Sequence, residues 1–134
     1  MITDYFRLEG KKALITGAGK GIGARIATVF AEMGADVALL ARTESDLDSV
    51  AREVTELGRE AITFACDVTD EAALAGVVEK LTEHWGSLDI LVNNAGAPGQ
   101  GYGSLKKVTK AWFVNTLDIN LTSAYTLTHL ALPL

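Results

Sequence analysis

The stretch Thr16-Gly17-Ala18-Gly19-Lys20-Gly21-Ile22-Gly23 joins a short apolar run to an amphipathic segment. The run at residues 13–16 is too short for a helix and predicts a first strand, whereas the apolar spacing over residues 22–33 predicts a helix closed by Gly34. Glycines permit a sharp turn and a close approach of backbone to ligand, and the N-terminus of the helix attracts anions. The turn therefore predicts a phosphate site, although the same glycines would also serve a tight turn alone.

The glycine turn is not a P-loop. Leu14 stands where that motif has its first glycine, and Gly19-Lys20 is followed by Gly21 rather than by serine or threonine.

Strands and helices alternate along the rest of the chain. Apolar runs predict further strands at residues 37–40, 61–66 and 88–92, and the second and third strands are each followed by a helix that ends at a glycine, Gly58 or Gly86. Thr43 and Thr69 are the expected N-caps of these helices, and Asp46 lies three residues after Thr43 as in a near capping box. Parallel strands need such crossover helices, so the sequence predicts an α/β, doubly wound parallel sheet.

A glycine-rich loop and a last helix follow the fourth strand. The helix is predicted from the apolar spacing of Leu117, Leu121, Ala124, Thr128 and Leu132.

Composition excludes several classes of protein. The 134 residues are 49% hydrophobic and 22% charged, which predicts one folded domain, and the formal charge of -5 disfavours nucleic acid as a partner. A single cysteine, Cys66, excludes an internal disulfide and a cysteine-clustered zinc site, and it is interpreted as a small buried apolar residue. His84 and His129 stand in no arrangement that indicates a metal site.

Neither a membrane span nor a secretory signal is predicted. No apolar run reaches the roughly 18–20 residues that a span needs, and Asp4, Arg7 and Glu9 occupy the N-terminal ten residues. The expected location is the cytoplasm.

Two motifs together resemble a known family. Thr16-Gly-x-x-x-Gly21-x-Gly23, followed by Asn93-Asn94-Ala95-Gly96 after the fourth strand, is similar to the classical short-chain dehydrogenase/reductase family. The resemblance implies a Rossmann fold with strand order 3-2-1-4 and an NAD(P)-dependent oxidoreductase. It extends over the whole chain but covers only about the first half of a family domain, so residues 1–134 are expected to be the dinucleotide-binding portion of one domain whose C-terminal half is absent.

The residues after the second strand predict which dinucleotide binds. An acidic side chain there would accept a hydrogen bond from the ribose 2′-hydroxyl, but the sequence reads Leu40-Ala41-Arg42-Thr43. Arg42 offers a planar charged fork for a 2′-phosphate, and Lys20 can add a second positive charge. We therefore expect NADP(H) in preference to NAD(H). The alternative is that both are solvated surface residues.

The resemblance implies the remaining cofactor contacts. Asp67 and Val68 would hold the adenine, while Asp67 could also cap a helix, and the segment 94–96 would lie beside the nicotinamide ribose. Asn93 would tie neighbouring strands together. The complete expected cofactor set is Gly17, Gly19, Lys20, Gly21, Ile22, Gly23, Arg42, Asp67, Val68, Asn94, Ala95 and Gly96.

Catalysis in the family uses asparagine, serine, tyrosine and lysine. Asp118-Ile119-Asn120-Leu121 matches the family's helix motif, which assigns the asparagine role to Asn120; the serine strand and the Tyr-x-x-x-Lys helix would begin beyond Leu134. Tyr102 and Lys106 have the pair's spacing, but they precede Asn120 in a glycine-rich loop and are rejected as that pair.

The resemblance implies hydride transfer between the nicotinamide and a small alcohol or carbonyl substrate. It also implies a homodimer or homotetramer formed through the last helix. The 134-residue chain alone is expected to be inactive. The alternative is a short NADP(H)-binding module or partner subunit without catalysis.

Overall fold

The computed structural model describes residues 2–98 and 104–134. Four parallel strands form one sheet in the order β3-β2-β1-β4, with β1 at Lys12–Thr16, β2 at Asp36–Ala41, β3 at Ala61–Ala65 and β4 at Ile90–Val92. This arrangement confirms the predicted fold class and strand order. The third strand ends one residue earlier than predicted, and the fourth begins two residues later.

Helices connect and cover the strands. They are α1 at Gly21–Glu32, α2 at Glu44–Glu56, α3 at Glu71–Trp85, α4 at Lys110–Leu117 and α5 at Ser123–Ala131. A π-helical turn at Asp118–Thr122 joins α4 to α5, and short 3-10 helices lie at Ile2–Phe6 and Leu105–Lys107. Gly34, Gly58 and Gly86 follow α1, α2 and α3 with positive φ, as their predicted role at the helix ends requires.

Each face of the sheet has its own core. Alternate residues of β1 point to opposite faces, so that Ala13 and Ile15 pack with α1 and α2 while Leu14 packs with α3 and α5. Residues from β2 divide in the same way, with Val37 and Leu39 on the first face. Burial on both faces explains why these strands are continuous apolar runs.

The helix caps differ from the prediction. Thr43 occupies the N-cap position of α2, but its side chain makes no cap hydrogen bond among the described residues. The N-cap of α3 is Asp70 rather than Thr69, and its Oδ1 accepts a hydrogen bond of 3.0 Å from the Ala73 N–H. The Thr69 hydroxyl instead donates to Asp67 at 2.8 Å, which removes it from the cap.

The last segment is helical, as predicted, but its apolar stripe lies largely at the surface. Leu121, Thr128 and Leu132 are exposed, whereas the buried residues of α5 are Ser123, Leu127 and Ala131. Leu117, which precedes the π-helical turn, is exposed as well, so the stripe lies off the buried face on both sides of that turn.

Candidate functional site

A cavity of about 330 Å³ opens at the carboxyl ends of the strands. The segments that follow all four strands line it, and Ile119 of the π-helical turn closes one side. The lining residues from these segments are Gly17, Gly19, Lys20, Ile22, Ala41, Arg42, Thr43, Asp46, Cys66, Asp67, Val68, Asn94, Ala95, Gly96 and Ala97. The structure thus brings the predicted cofactor residues together around one space, except that Gly21 and Gly23 lie outside the lining.

The glycine turn is packed closely against the loop after β4 at Gly17 and Gly23. Gly17 has a φ of +64°, and a Cβ there would lie 2.9 Å from Asn94 Nδ2. Gly23 is buried behind it, where a Cβ would overlap the carbonyl oxygen of Gly17 and lie 2.6 Å from Asn94 Nδ2. Glycine at these positions lets α1 approach both the turn and the loop after β4.

Two helices begin at the cavity without side-chain caps. Within the described part of the chain, neither Lys20 at the start of α1 nor Thr43 at the start of α2 accepts a cap hydrogen bond. By contrast, Asp70 caps α3 and Thr109 caps α4. The first N–H groups of α1 and α2 carry partial positive charge, and such uncapped ends suit an anionic ligand.

Lys20 and Arg42 add full positive charges to the lining of the same cavity. Both side chains are exposed, and neither forms an ion pair with any described residue. These cations are therefore available to a ligand.

Asp67 is oriented by its neighbour Thr69. Its Oδ1 accepts hydrogen bonds from the Thr69 N–H at 2.9 Å and from the Thr69 hydroxyl at 2.8 Å. These bonds, with a smaller contribution from the charge of Arg42, lower the pKa of the Asp67 carboxyl. The carboxylate therefore stays ionised near neutral pH and can accept a further hydrogen bond.

A polar network locks the loop after β4 against the glycine turn. Thr16 Oγ1 accepts hydrogen bonds from the N–H groups of Asn94 and Ala95, at 3.0 Å and 2.9 Å. The Asn94 side chain donates in return to the carbonyl oxygens of Thr16, at 3.0 Å, and of Gly17, at 3.3 Å. Asn93, which was expected to tie strands together, instead donates to Thr128 Oγ1 of α5 at 3.0 Å. Asn94 is the residue that joins the two strand ends.

Asn120 lies in the π-helical turn beside this loop. Its amide nitrogen donates to the carbonyl oxygens of Ala97 and Thr116, each at 2.9 Å. A Cβ on Gly96 would lie 2.7 Å from Asn120 Oδ1, so Gly96 allows the loop and the turn to meet. The side chain of Asn120 does not line the cavity, whereas that of its neighbour Ile119 does.

Sequence reasoning missed several lining residues. Ala41, Thr43, Cys66 and Ala97 adjoin predicted positions and could have been found by extending each segment by one residue. Cys66 is half-buried rather than buried, and desolvation, with the charges of Asp70 and Asp67, raises the pKa of its thiol. Asp46 and Ile119 carry no local signal, because their helices bring them to the cavity.

The tyrosine, lysine and histidine residues considered from the sequence lie elsewhere or have other partners. Tyr102 is outside the described residues, while Lys106 lies in the 3-10 helix Leu105–Lys107. His84 is exposed and contacts Glu60 Oε1 at 2.6 Å, and His129 stacks on Tyr125 with ring centroids 6.0 Å apart. Within residues 2–98 and 104–134, no group of three His, Cys, Asp or Glu side chains could hold a metal ion. In those same ranges, every helix is too short or too polar to cross a bilayer.

The comparisons with known proteins agree with this geometry. The family model described as short chain dehydrogenase matches residues 11–134. An uncharacterized oxidoreductase of Mycobacterium tuberculosis is 40% identical over 134 residues, which are 100% of this chain and 50% of that protein. The chain belongs to the short-chain dehydrogenase/reductase family, as the two motifs predict, and spans about half the length of the curated relatives it matches.

Solved structures match over the same half. The crystal structure of carveol dehydrogenase from Mycobacterium avium in complex with NAD has a TM-score of 0.89 and 33% identity, covering 95% of this chain and 50% of that one. A metagenomic short-chain oxidoreductase in complex with NADP has a TM-score of 0.88 and 37% identity, covering 94% of this chain and 57% of that one.

Proposed function

We propose that this chain is the NADP(H)-binding portion of an enzyme that transfers a hydride between the nicotinamide and an alcohol or carbonyl substrate. Residues 1–134 would form the first part of a single domain. The observation that carries the proposal is the pair of unpaired cations, Lys20 and Arg42, at the uncapped starts of α1 and α2 on one cavity. A dinucleotide with a 2′-phosphate matches that distribution of charge.

The glycine turn fits a diphosphate. The turn has no side chain at Gly17 and Gly19, and α1 begins at Gly21 and Ile22, so that the N-terminal end of this helix would face the phosphate oxygens. Gly23 would act indirectly, because it lies behind Gly17 rather than on the cavity wall.

The two ends of the cofactor would lie on opposite sides of this turn. Asp67 has one carboxylate oxygen, Oδ2, without a donor among the described residues, and it could accept from the adenine amino group while Val68 contacts the ring. Asn94, Ala95 and Gly96, held by Thr16, would flank the nicotinamide ribose.

Asn120 is the catalytic residue that we assign to this chain. NADP(H), when bound, supplies or accepts the hydride. Asn120 joins the loop after β4 to the last helix through Ala97 and Thr116, so it would hold the substrate side of the site in position for a proton relay. We expect the 134-residue chain alone to be inactive, because the serine and the Tyr-x-x-x-Lys pair of the family are not assigned within it.

The complete enzyme would act in the cytoplasm as a homodimer or homotetramer. Exposed apolar residues on the last helical segment, among them Phe113, Leu121 and Tyr125, support an association surface there. Relatives are known in complex with NAD and with NADP, so the choice of NADP(H) depends on Lys20 and Arg42 rather than on the likeness.

Titration with reduced dinucleotides tests the proposal. We expect the chain to bind NADPH more tightly than NADH, measured by the fluorescence of the reduced nicotinamide. Arg42→Ala should weaken NADPH binding about 10- to 100-fold, the range expected for charge-assisted hydrogen bonds, and leave NADH binding nearly unchanged.

Arg52→Ala is the matched control. Arg52 lies on an exposed part of α2, where its Nε donates to the Asp48 carbonyl oxygen, and it does not line the cavity. Equal NADPH affinities in the wild type and Arg42→Ala would refute the assignment of the 2′-phosphate to Arg42. A wild-type chain that binds neither NADPH nor NADH would refute the proposed function.

A further inference from the structure

Asp46 brings an acidic residue to the same cavity that Lys20 and Arg42 line. It lies in the first turn of α2, is half-buried and lines the cavity together with Lys20, Arg42 and Thr43. Its Cβ lies 2.9 Å from the position that a Cβ on Gly19 would take, so α2 packs directly against the glycine turn. Asp46 is therefore held beside the glycine turn, in the wall that the proposed function assigns to the adenosine ribose.

The Asp46 carboxylate is not neutralised by its neighbours. Among the described residues, it forms no ion pair with Lys20 or Arg42 and accepts no hydrogen bond, and its side chain is not needed as a helix cap because Asp46 lies inside α2. The other acid on this wall, Asp67, is engaged by Thr69. Asp46 is thus an acid of this wall with neither carboxylate oxygen bound to a donor or a cation among the described residues, so its charge is left for a ligand to meet.

A carboxylate and a guanidinium favour different dinucleotides. A carboxylate accepts a hydrogen bond from a ribose 2′-hydroxyl and repels a 2′-phosphate, whereas an arginine attracts the phosphate. We propose that Asp46 is a specificity-determining residue that weakens the preference for NADP(H) set by Lys20 and Arg42, so that the site also accepts NAD(H). This inference rests on the proposed function.

Two adenosine nucleotides isolate the effect. Adenosine 2′,5′-bisphosphate carries the 2′-phosphate and adenosine 5′-monophosphate lacks it, and neither has a nicotinamide. Isothermal titration of the 134-residue chain at low ionic strength gives the ratio of the two affinities. Asp46→Asn should raise the affinity for the bisphosphate about five-fold or more, as expected for removing a charge several ångströms from a phosphate, with little gain for the monophosphate.

Asp48→Asn is the matched control, since it removes the same charge two residues further along α2 from an exposed side chain that does not line the cavity. Solvent ions screen the charge of Asp48, so this substitution should change the ratio of the two nucleotide affinities by about two-fold or less. Asp46→Ser, which removes the charge with a smaller side chain, should reproduce the shift of Asp46→Asn, and added salt should reduce it.

The inference would be overturned if both Asp46 variants had the same ratio of bisphosphate to monophosphate affinity as Asp48→Asn. The proposed function would still stand. A wild-type chain that binds neither nucleotide would overturn the proposed function, and the role of Asp46 with it.

Discussion

Gly23 shows how a residue without a side chain determines the shape of the cavity. It is buried at the point where α1, the glycine turn and the loop after β4 meet, and a Cβ there would overlap the Gly17 carbonyl oxygen and crowd Asn94. Any side chain at this position must therefore move the loop that Thr16 and Asn94 hold together.

Gly23→Ala should lower the free energy of unfolding by about 1–3 kcal/mol, because overpacking a close contact forces backbone shifts. Urea denaturation measures this loss, and NADPH binding should weaken with it. Gly76→Ala is the control, because a Cβ on this glycine in α3 meets nothing within 4 Å. We expect it to stabilise the protein by about 0.5–1 kcal/mol through helix propensity. Equal effects of the two substitutions would contradict the close contact at Gly23.

Asp89 joins the start of β4 to the start of β1. Its Oδ2 accepts a hydrogen bond of 2.9 Å from the Lys12 N–H, and its Oδ1 accepts one of 3.1 Å from Lys11 Nζ. The bond from the Lys12 backbone, followed by that from Lys11, lowers the pKa of the Asp89 carboxyl. The ionised form is therefore the one that the folded protein stabilises.

Asp89→Asn should lower the free energy of unfolding by about 1 kcal/mol or less at pH 7, because the site is partly exposed to solvent. A pKa lowered by folding gives stability that is present above the unfolded value of about 3.9 and is lost as the pH falls through the folded value. The difference between wild type and variant should therefore disappear below that window in urea denaturation measured against pH. Asp48→Asn is the control, because it also removes one acidic side chain. If the stability difference between the wild type and Asp89→Asn persisted at the lowest pH, ionisation of Asp89 could not be its cause.

At the scale of the elements, helix starts divide into two kinds. α3 and α4 are capped by Asp70 and Thr109, whereas α1 and α2 begin at the cavity with no side-chain cap in the described structure. Composition accounts for α1, because the Lys20 ammonium group has no hydrogen-bond acceptor, whereas Thr43 has the side chain to cap α2 and does not use it.

Asp70→Ala should destabilise the protein by about 1 kcal/mol, because it removes the acceptor for the Ala73 N–H. Thr43→Ala should lower the free energy of unfolding by only a few tenths of a kcal/mol, since no cap bond is lost. Thermal unfolding of the two variants provides the comparison, and a loss on Thr43→Ala as large as that on Asp70→Ala would mean that Thr43 caps α2 in solution.

At the scale of the whole molecule, the last helical segment presents much of its apolar surface to solvent. Leu121 and Tyr125 are 63% and 70% exposed, and Phe113 and Leu132 are 54% and 75% exposed. An apolar surface of this kind favours association.

We therefore expect the chain to associate with rising concentration in sedimentation velocity, and the double substitution Leu121→Glu and Tyr125→Glu to shift it toward the monomer. Leu57→Glu, at a 45% exposed leucine just after α2, should leave association unchanged. A wild-type chain that stays monomeric at every concentration would refute the role of this surface.

Much of the fold and of the site follows from local sequence. The alternation of apolar runs and amphipathic segments predicts the parallel sheet. A continuous apolar run indicates a strand that is buried on both faces, and an amphipathic segment indicates a helix that is buried on one. The glycine turn, Arg42 and Asp67 were also predictable, since each directly follows a strand, and the carboxyl ends of parallel strands meet at one edge.

Only the tertiary structure reveals the contacts between distant segments. Thr16 and Asn94 are 78 positions apart, and their hydrogen bonds exist because β1 and β4 are neighbours in the sheet. Asp46 reaches the cavity because α2 packs against Gly19, and the buried face of α5 is the one on which Leu127 packs with residues of α3. Periodicity describes one element at a time, so the sequence determined which elements form, while packing between those elements decided which side chains meet at the site.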